Sequence, residues 1–256
     1  MKNARPNSRP FDQEEIVCGR YACEALFKKR PQDLIKFYTL DSDIDRWKLV
    51  MSHCAQNKLG YRMVSADDLK KISHSDHHEG IVMIARKRVF PAWKDVLKNM
   101  KTPSSILILD GVFNPHNLGA IARSGAHFGI SGFFSFHSEM KEITPSTYRV
   151  AQGGWEYFPS YFLKDIAGLF DELKKQKFQI IGLDSHAKKN LKEVLDQFSP
   201  AQHKIAFIMG AEDRGLHESL KKEIVTASIP GTGVLDSLNV SQATSIALAL
   251  WRMGIA

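Results

Sequence analysis

The sequence predicts an α/β protein in two parts, a small mixed unit followed by a larger one built on a parallel sheet. Three observations predict it. Across residues 106–256, short apolar runs (ILILD, GFFSF, FQIIGLD, KIAFIMG, IVTASIP) recur between helix-period segments, the alternation of a parallel sheet with helices on both faces. A separate strand-and-helix block fills residues 14–86. A basic stretch broken by proline, residues 87–105, stands between them as a linker with a short helix. A length of 256 residues is comfortable for two such domains.

The elements follow in order. Residues 1–13 are polar, with Lys2, Arg5 and Arg9, and read as a flexible basic arm. Structure begins near Glu15, and apolar residues take helical spacing from Tyr21 onward. IKFYTL, rich in β-branched and aromatic residues, is the first predicted strand. A helix is expected over Asp45–Lys58, then a short strand, YRMVS. SADDLKKIS carries Ser65 at its N-cap and Asp67 and Asp68 in its first turn, so a helix starts there. GIVMIAR closes the block as a strand. In the second part, ILILD leads into the helix NLGAIARSGAHFG, and DIAGLFDELKKQ is amphipathic and helical. SLNVSQATSIALALWRMG is a long final helix, with Ser237 as its expected N-cap.

Composition narrows the function. The 43% hydrophobic and 25% charged fractions are those of a globular protein, and no run approaches the roughly 20 apolar residues of a membrane span. The first residues lack the apolar core of a secretory signal, and Cys18, Cys23 and Cys54 are odd in number and irregularly spaced. These features predict a cytoplasmic protein with reduced thiols. His74, His77 and His78 cluster without a completing ligand set, so no metal site is expected. Lys and Arg outnumber Asp and Glu by 35 to 28, a net charge of +7 that suits phosphate backbones but also many plain basic enzymes.

Chemistry is expected at the carboxyl ends of the strands, where an open parallel sheet binds ligands. Three polar, glycine-rich loops fall there. In DGVFNPHNLGAIARSGAHFG (110–129), amides at Asn114 and Asn117 precede a helix start suited to an anion, and Arg123, nearly two turns after Asn117, is expected on a broadly similar side. In IMGAEDRGL (208–216), Gly210 and Gly215 permit close approach of backbone to a ligand, beside Glu212. In SIPGTGVLDSLNVSQATSIALAL (228–250), Ser237, Asn239 and Ser241 gather polar groups at a helix start. The GTG piece lacks the third glycine of a dinucleotide fingerprint and the lysine of a P-loop. Each loop by itself also reads as a well-built strand-to-helix turn.

Taken together, the segments N-L-G-A-I-A-R (117–123), M-G-A-E-D-R-G (209–215) and I-P-G-T-G-V-L-D-S-L-N-V-S (229–241) resemble the SpoU (TrmH-like) family of SPOUT methyltransferases, in order and across residues 106–253. The block at 14–86, with G-R-Y-A-C-E-A-L and H-E-G-I-V, resembles the L30e-like RNA substrate-binding domain that many members carry. The resemblance implies an α/β knot, a parallel sheet whose C-terminal segment is tucked into a trefoil, and a homodimer. It implies S-adenosylmethionine as cofactor, held around Gly210, Ile229 and Leu238, with Met209, Gly215 and Ser241 beside them. It implies Arg123, Asn117, Glu212, Ser237 and Asn239 as catalytic residues, and methyl transfer to a ribose 2′-hydroxyl of structured RNA, ribosomal RNA ahead of transfer RNA. The other reading is a non-catalytic RNA-binding protein that keeps the knotted fold. The sequence departs from the family pattern at Gly231, where methionine is common, at Gln242, where a small apolar residue is common, and in QGGWE (152–156), where small-Gly-Ala-x-Glu is usual. Gly231 and Trp155 are therefore expected to alter the cofactor rim or the substrate face.

Overall fold

The apolar runs become strands of two separate sheets. The computed structural model describes residues 13–136, 143–164, 166–211 and 214–255. The chain divides into two compact units, residues 1–89 with 144–156, and residues 90–143 with 157–256. The basic arm expected at the N-terminus lies outside the described residues, apart from Gln13.

The first unit has a four-stranded sheet, β1 (Glu14–Cys18), β4 (Ile81–Arg86), β2 (Leu34–Thr39) and β3 (Gly60–Met63) side by side in that order. β4 runs antiparallel to β1 and β2, and β3 pairs parallel with β2 at an exposed edge. Helices α1 (Arg20–Lys29), α2 (Lys48–Gln56) and α3 (Ala66–Ser73) pack against it. Ser65 caps α3 through the Asp68 amide at 3.2 Å. The helix expected over Asp45–Lys58 is shorter than its pattern, because Asp41–Trp47 winds as a 3-10 turn and α2 starts only at Lys48. β1 was not marked by periodicity, since its first residues are the carboxylates Glu14 and Glu15. The three cysteines are buried and free, and burial pushes the Cys18 thiol up to about 12, so it stays protonated and donates to the Pro145 carbonyl at 3.4 Å.

That carbonyl belongs to a segment the sequence placed in the second half. Helix α6 (Pro145–Ala151) and the turn after it pack on β1 and α1, within the first unit. Gly153 has φ +83°, and a side chain there would meet Ala25 and the Tyr21 carbonyl of α1. Trp155 is fully buried in this unit, so its departure from the family pattern serves packing there and not a cofactor rim. The Glu156 side chain, 2% exposed, receives Nε and Nη2 of Arg30, each at 2.8 Å. Arg30 also pairs with Glu15, which accepts from the Tyr148 hydroxyl at 2.6 Å. Burial opposes the charge on Arg30, but the Glu156 hydrogen bonds and the two carboxylates outweigh it and hold the proton more tightly than usual.

The second unit carries a six-stranded sheet, β10 (Val225–Ala227), β8 (Phe178–Leu183), β9 (Lys204–Gly210), β5 (Ser104–Asp110), β6 (Gly132–Phe136) and β7 (Ser160–Leu163), parallel at every pairing. One face buries Ile106, Ile108, Phe134 and Ile208 under α4 (Trp93–Asn99) and α7 (Ala167–Lys175). α4 lies in the stretch read as a linker, and its Leu97 is wholly buried. The other face is covered by α5 (Pro115–Phe128), α8 (Leu191–Phe198) and α10 (Val240–Met253). A four-residue α9 (Glu218–Lys221) precedes β10. α8 was absent from the sequence reading although Asn190 and Glu193 form a full capping box at its start.

Glu156→Ala is expected to remove two buried hydrogen bonds from Arg30, leaving Glu15 as its close carboxylate, and to lower stability by about 1–3 kcal/mol. Urea denaturation of the full chain checks it.

Candidate active site

The parallel register gathers the polar loops at one edge. Asp110 of β5 faces Gly210 of β9, Met209 faces Leu183 of β8, and Leu183 faces Ala227 of β10. The chain leaving each strand therefore emerges at the same end of the sheet.

The loop after β5 turns at Gly111, φ +79°, whose amide donates to the Phe136 carbonyl at 3.1 Å. Asn114 caps α5 by accepting from the His116 amide at 2.9 Å, and Pro115 occupies the first turn. Asn117 is 8% exposed, and its side-chain oxygen accepts from the Asn239 Nδ2 at 3.1 Å. Asn239 in turn accepts the Ser241 amide at 2.8 Å and the Ser241 hydroxyl at 2.7 Å. About two turns on along α5, and one turn beyond Ser241 on α10, the hydroxyls of Ser124 and Ser245 meet at 2.7 Å. α5 and α10 are thus knitted at their starts, where both helices present positive dipole ends.

The loop after β9 folds back on itself. The Gly215 amide donates to the Ala211 carbonyl at 2.8 Å, and the backbone of Gly215 and Leu216 lies against Gly210. A Cβ at Gly210 would collide with the Gly215 carbonyl group, so glycine is required there. Arg214 reaches Asp110 at 3.2 Å and ties this loop to the end of β5. The second Asp110 oxygen, Oδ2, is buried with no partner among the described residues.

Of the expected site residues, Asn117, Asn239 and Ser241 come together through hydrogen bonds, and Gly210 stacks on Gly215. Met209 buries its side chain in the sheet, and Ile229 is half-buried. Ser237 and Leu238 lie on a loop that is exposed from Pro230 to Asn239. Glu212 lies outside the described residues.

Two expectations need correction. The N-cap of α10 is Asn239 and not Ser237, because Asn239 adopts φ −54° and ψ 140° immediately before the first helical residue, within reach of the Ser241 amide. Arg123 is exposed while Asn117 is buried, so they do not share a side of α5. Six residues at about 100° each fall about 120° short of two turns. Arg123 has no ion-pair partner among the described residues. The Asp110–Arg214 pair was missed, although both residues lie inside the quoted motifs. Nothing in the spacing marks a contact between residues 104 positions apart. Among the described residues, no group of three His, Cys, Asp or Glu side chains is placed to hold a metal, and no helix is long and apolar enough to cross a membrane.

Residues 104–249 match the model of the SpoU rRNA Methylase family. The chain belongs to that family. Residues 16–90 of this SpoU chain match a second model, RNA 2′-O ribose methyltransferase substrate binding. The chain is 30% identical over 241 residues to a 23S rRNA (guanosine-2′-O-)-methyltransferase, RlmB, of Acinetobacter baylyi, covering 91% of this chain and 95% of that protein. It is 29% identical to YfiF of Escherichia coli O157:H7, named an uncharacterized tRNA/rRNA methyltransferase, covering 93% of this chain and 68% of the relative. The fold matches that of the SpoU methyltransferase AviRb from Streptomyces viridochromogenes, solved in complex with AdoMet, at TM-score 0.78 and 16% identity over 98% of this chain and 93% of that one. It also matches an AdoMet-bound rRNA methyltransferase from Sinorhizobium meliloti, at TM-score 0.76 and 20% identity over 97% and 90%. The remaining departures from the SpoU pattern, Gly231 and Gln242, are both exposed, and a side chain at Gly231 would meet nothing within 4 Å.

Gly210→Ala is expected to force the 211–216 loop away from β9 and to cost about 1–3 kcal/mol. Thermal unfolding against Gly231→Ala, which has open space and is expected near wild type, checks it.

Proposed function

We propose that this protein transfers a methyl group from S-adenosylmethionine to a ribose 2′-hydroxyl of structured RNA, ribosomal RNA ahead of transfer RNA. The observation that carries the reading is the convergence of the three SpoU segments at one sheet edge, with Asn117 and Asn239 hydrogen-bonded across residues 122 positions apart. The RlmB relatives, named for guanosine-2′-O methylation of 23S rRNA, support the ribosomal preference.

The residues fit the cofactor on two observations. Gly210 and Gly215 pack backbone on backbone at the end of β9 and so present main chain without side chains there, and the loop 230–239 is exposed, with Leu238 half-exposed on it. Gly210, Met209, Gly215, Ile229, Leu238 and Ser241 would hold it, mostly through backbone atoms. When bound, S-adenosylmethionine supplies the already activated methyl group. What remains for the protein is placement and control of charge. Arg123, exposed on α5, clamps an RNA phosphate and polarises the 2′-oxygen. A guanidinium holds its proton too firmly to act as the base. Asn117 and Asn239 orient the ribose as one unit, Ser237 shapes the pocket from its exposed loop, and Glu212 positions Arg123 or the ribose.

The reading extends to assembly, threading and domains. Val234, Leu235 and Leu238 on the loop, with Ile246 and Met253 on α10, are exposed apolar side chains that a second copy of the chain would cover, and this supports a homodimer. β10 lies at the sheet edge, yet α10 returns to pack on α5, β9 and α8, and Ser228 bridges Asn190 on the way. That return path supports a trefoil knot. The substrate-binding part is assigned to 14–86, the connection to 87–105 and the methyltransferase to 106–256, in a cytoplasmic protein.

Arg123→Ala is expected to keep cofactor affinity and to lose methyl transfer by at least about 100-fold, the scale of a lost charge-stabilising contact. Isothermal titration with S-adenosylmethionine and a tritiated-methyl assay on ribosomal RNA fragments check it. Wild-type protein that binds RNA but not the cofactor would favour the non-catalytic reading.

A further inference from the structure

The end of the parallel sheet opposite the motif loops carries a second feature. A cleft of about 450 Å³ opens there, lined by Lys175, Gln176, Lys177, Gln202, His203 and Lys204 among others. The parallel register explains why these residues meet. Phe178, Lys204 and Ser104 are direct neighbours at the amino ends of β8, β9 and β5, so the residues that enter the strands share one edge. Among the described residues, no carboxylate lines the cleft.

The charges differ from those nearby. Lys174 holds Glu223 at 2.8 Å, and Lys192 holds Asp196 at 2.6 Å. Lys175, Lys177 and Lys204 have no carboxylate within ion-pair distance among the described residues. Lys175 lies in the last turn of α7, where a cation offsets the helix carbonyls. That account does not reach Lys177, which follows the helix, or Lys204 on β9. The Lys204 ammonium sits 5.2 Å from the centroid of the Phe178 ring, a cation–π contact.

We propose that this cleft binds phosphates of the RNA backbone, as an anchor remote from the methyl-transfer loops. The seven residues of β5 separate the two ends by about 20 Å, at roughly 3.3 Å per residue. An RNA that fills both must therefore span at least that distance. Lysines without a carboxylate partner suit phosphate oxygens, and such contacts position an RNA without reading its sequence.

The inference rests on the reading that RNA is the substrate, and binding separates it from the activity. The test is fluorescence anisotropy of the full chain with a labelled, structured ribosomal RNA fragment over a salt series. K177E/K204E is expected to weaken RNA binding about tenfold and to lower the slope of log affinity against log salt by about two. S-adenosylmethionine affinity stays unchanged and reports that the fold is intact. K177R/K204R keeps the wild-type slope. K192E/K222E makes the same charge change elsewhere on the unit and shifts affinity by less than about twofold. A K177E/K204E protein that behaves like this control overturns the anchor, and so does equal competition by inorganic pyrophosphate at matched phosphate concentration, which marks a small-anion site. Wild-type protein that binds the RNA with this salt slope and fails to methylate it would sink the proposed activity and leave the anchor standing.

Discussion

The parallel direction of the larger sheet is the constraint from which the rest follows. Because β10, β8, β9, β5, β6 and β7 all point the same way, every strand ends at one edge and every return connection arrives at the other. Chemistry can then be assembled from loops far apart in sequence without a dedicated scaffold. Asp110, Gly210 and Ala227 end neighbouring or near-neighbouring strands, and the chain after each contributes to one surface. The same direction fills the opposite edge with the residues that enter the strands, and their composition is free of the demands of catalysis.

The carboxyl edge is rigid where it must be and open elsewhere. Two ties fix it. Asn117 accepts from Asn239, which joins α5 to the last helix of the unit, and Arg214 meets Asp110, which joins the β9 loop to the β5 end. Between them, Gly210 lets backbone pack on backbone, and no side chain intervenes. The loop from Pro230 to Leu238, which leads to that tie, is exposed throughout. Amides and hydroxyls held by one another present directed donors and acceptors with little entropy left to lose, which is the property that a positioning site needs.

Much of this was legible in the residues. ILILD and KIAFIMG are apolar at almost every position because both faces of their strands are buried, and such runs announce a parallel sheet. Ser65 and the acidic turn after it announce α3. What escaped has physical reasons. Glu15 sits in a strand because Arg30 and Tyr148 neutralise it, a pairing no local pattern encodes. β7 has only four residues, too few to show alternation. The α8 capping box was in plain view as Asn190 and Glu193, and the separation of Arg123 from Asn117 was a matter of helical phase. In the site, the three loops could be marked as polar and glycine-rich. That Asn239 would seek Asn117, or Arg214 seek Asp110, depends on which strands become neighbours, and sequence spacing does not carry that.

Segment 144–156 shows how far chain order and physical membership can part. It falls within the stretch matched by the methylase family, yet Tyr148, Trp155 and Glu156 are buried in the N-terminal unit. Its charged cluster is a costly way to gain stability, since ions taken from water recover little more than they lose. Its consequence is specificity. Only a segment carrying a carboxylate at 156 answers the Arg30 guanidinium, and only glycine at 153 lets that segment lie against α1. Trp155, at the position the pattern leaves open, is fully buried and fills the core of this unit. The chain consequently passes between the two units three times, after residues 89, 143 and 156. The N-terminal unit is therefore completed by residues drawn from the methylase half and is not a module hung on a single linker.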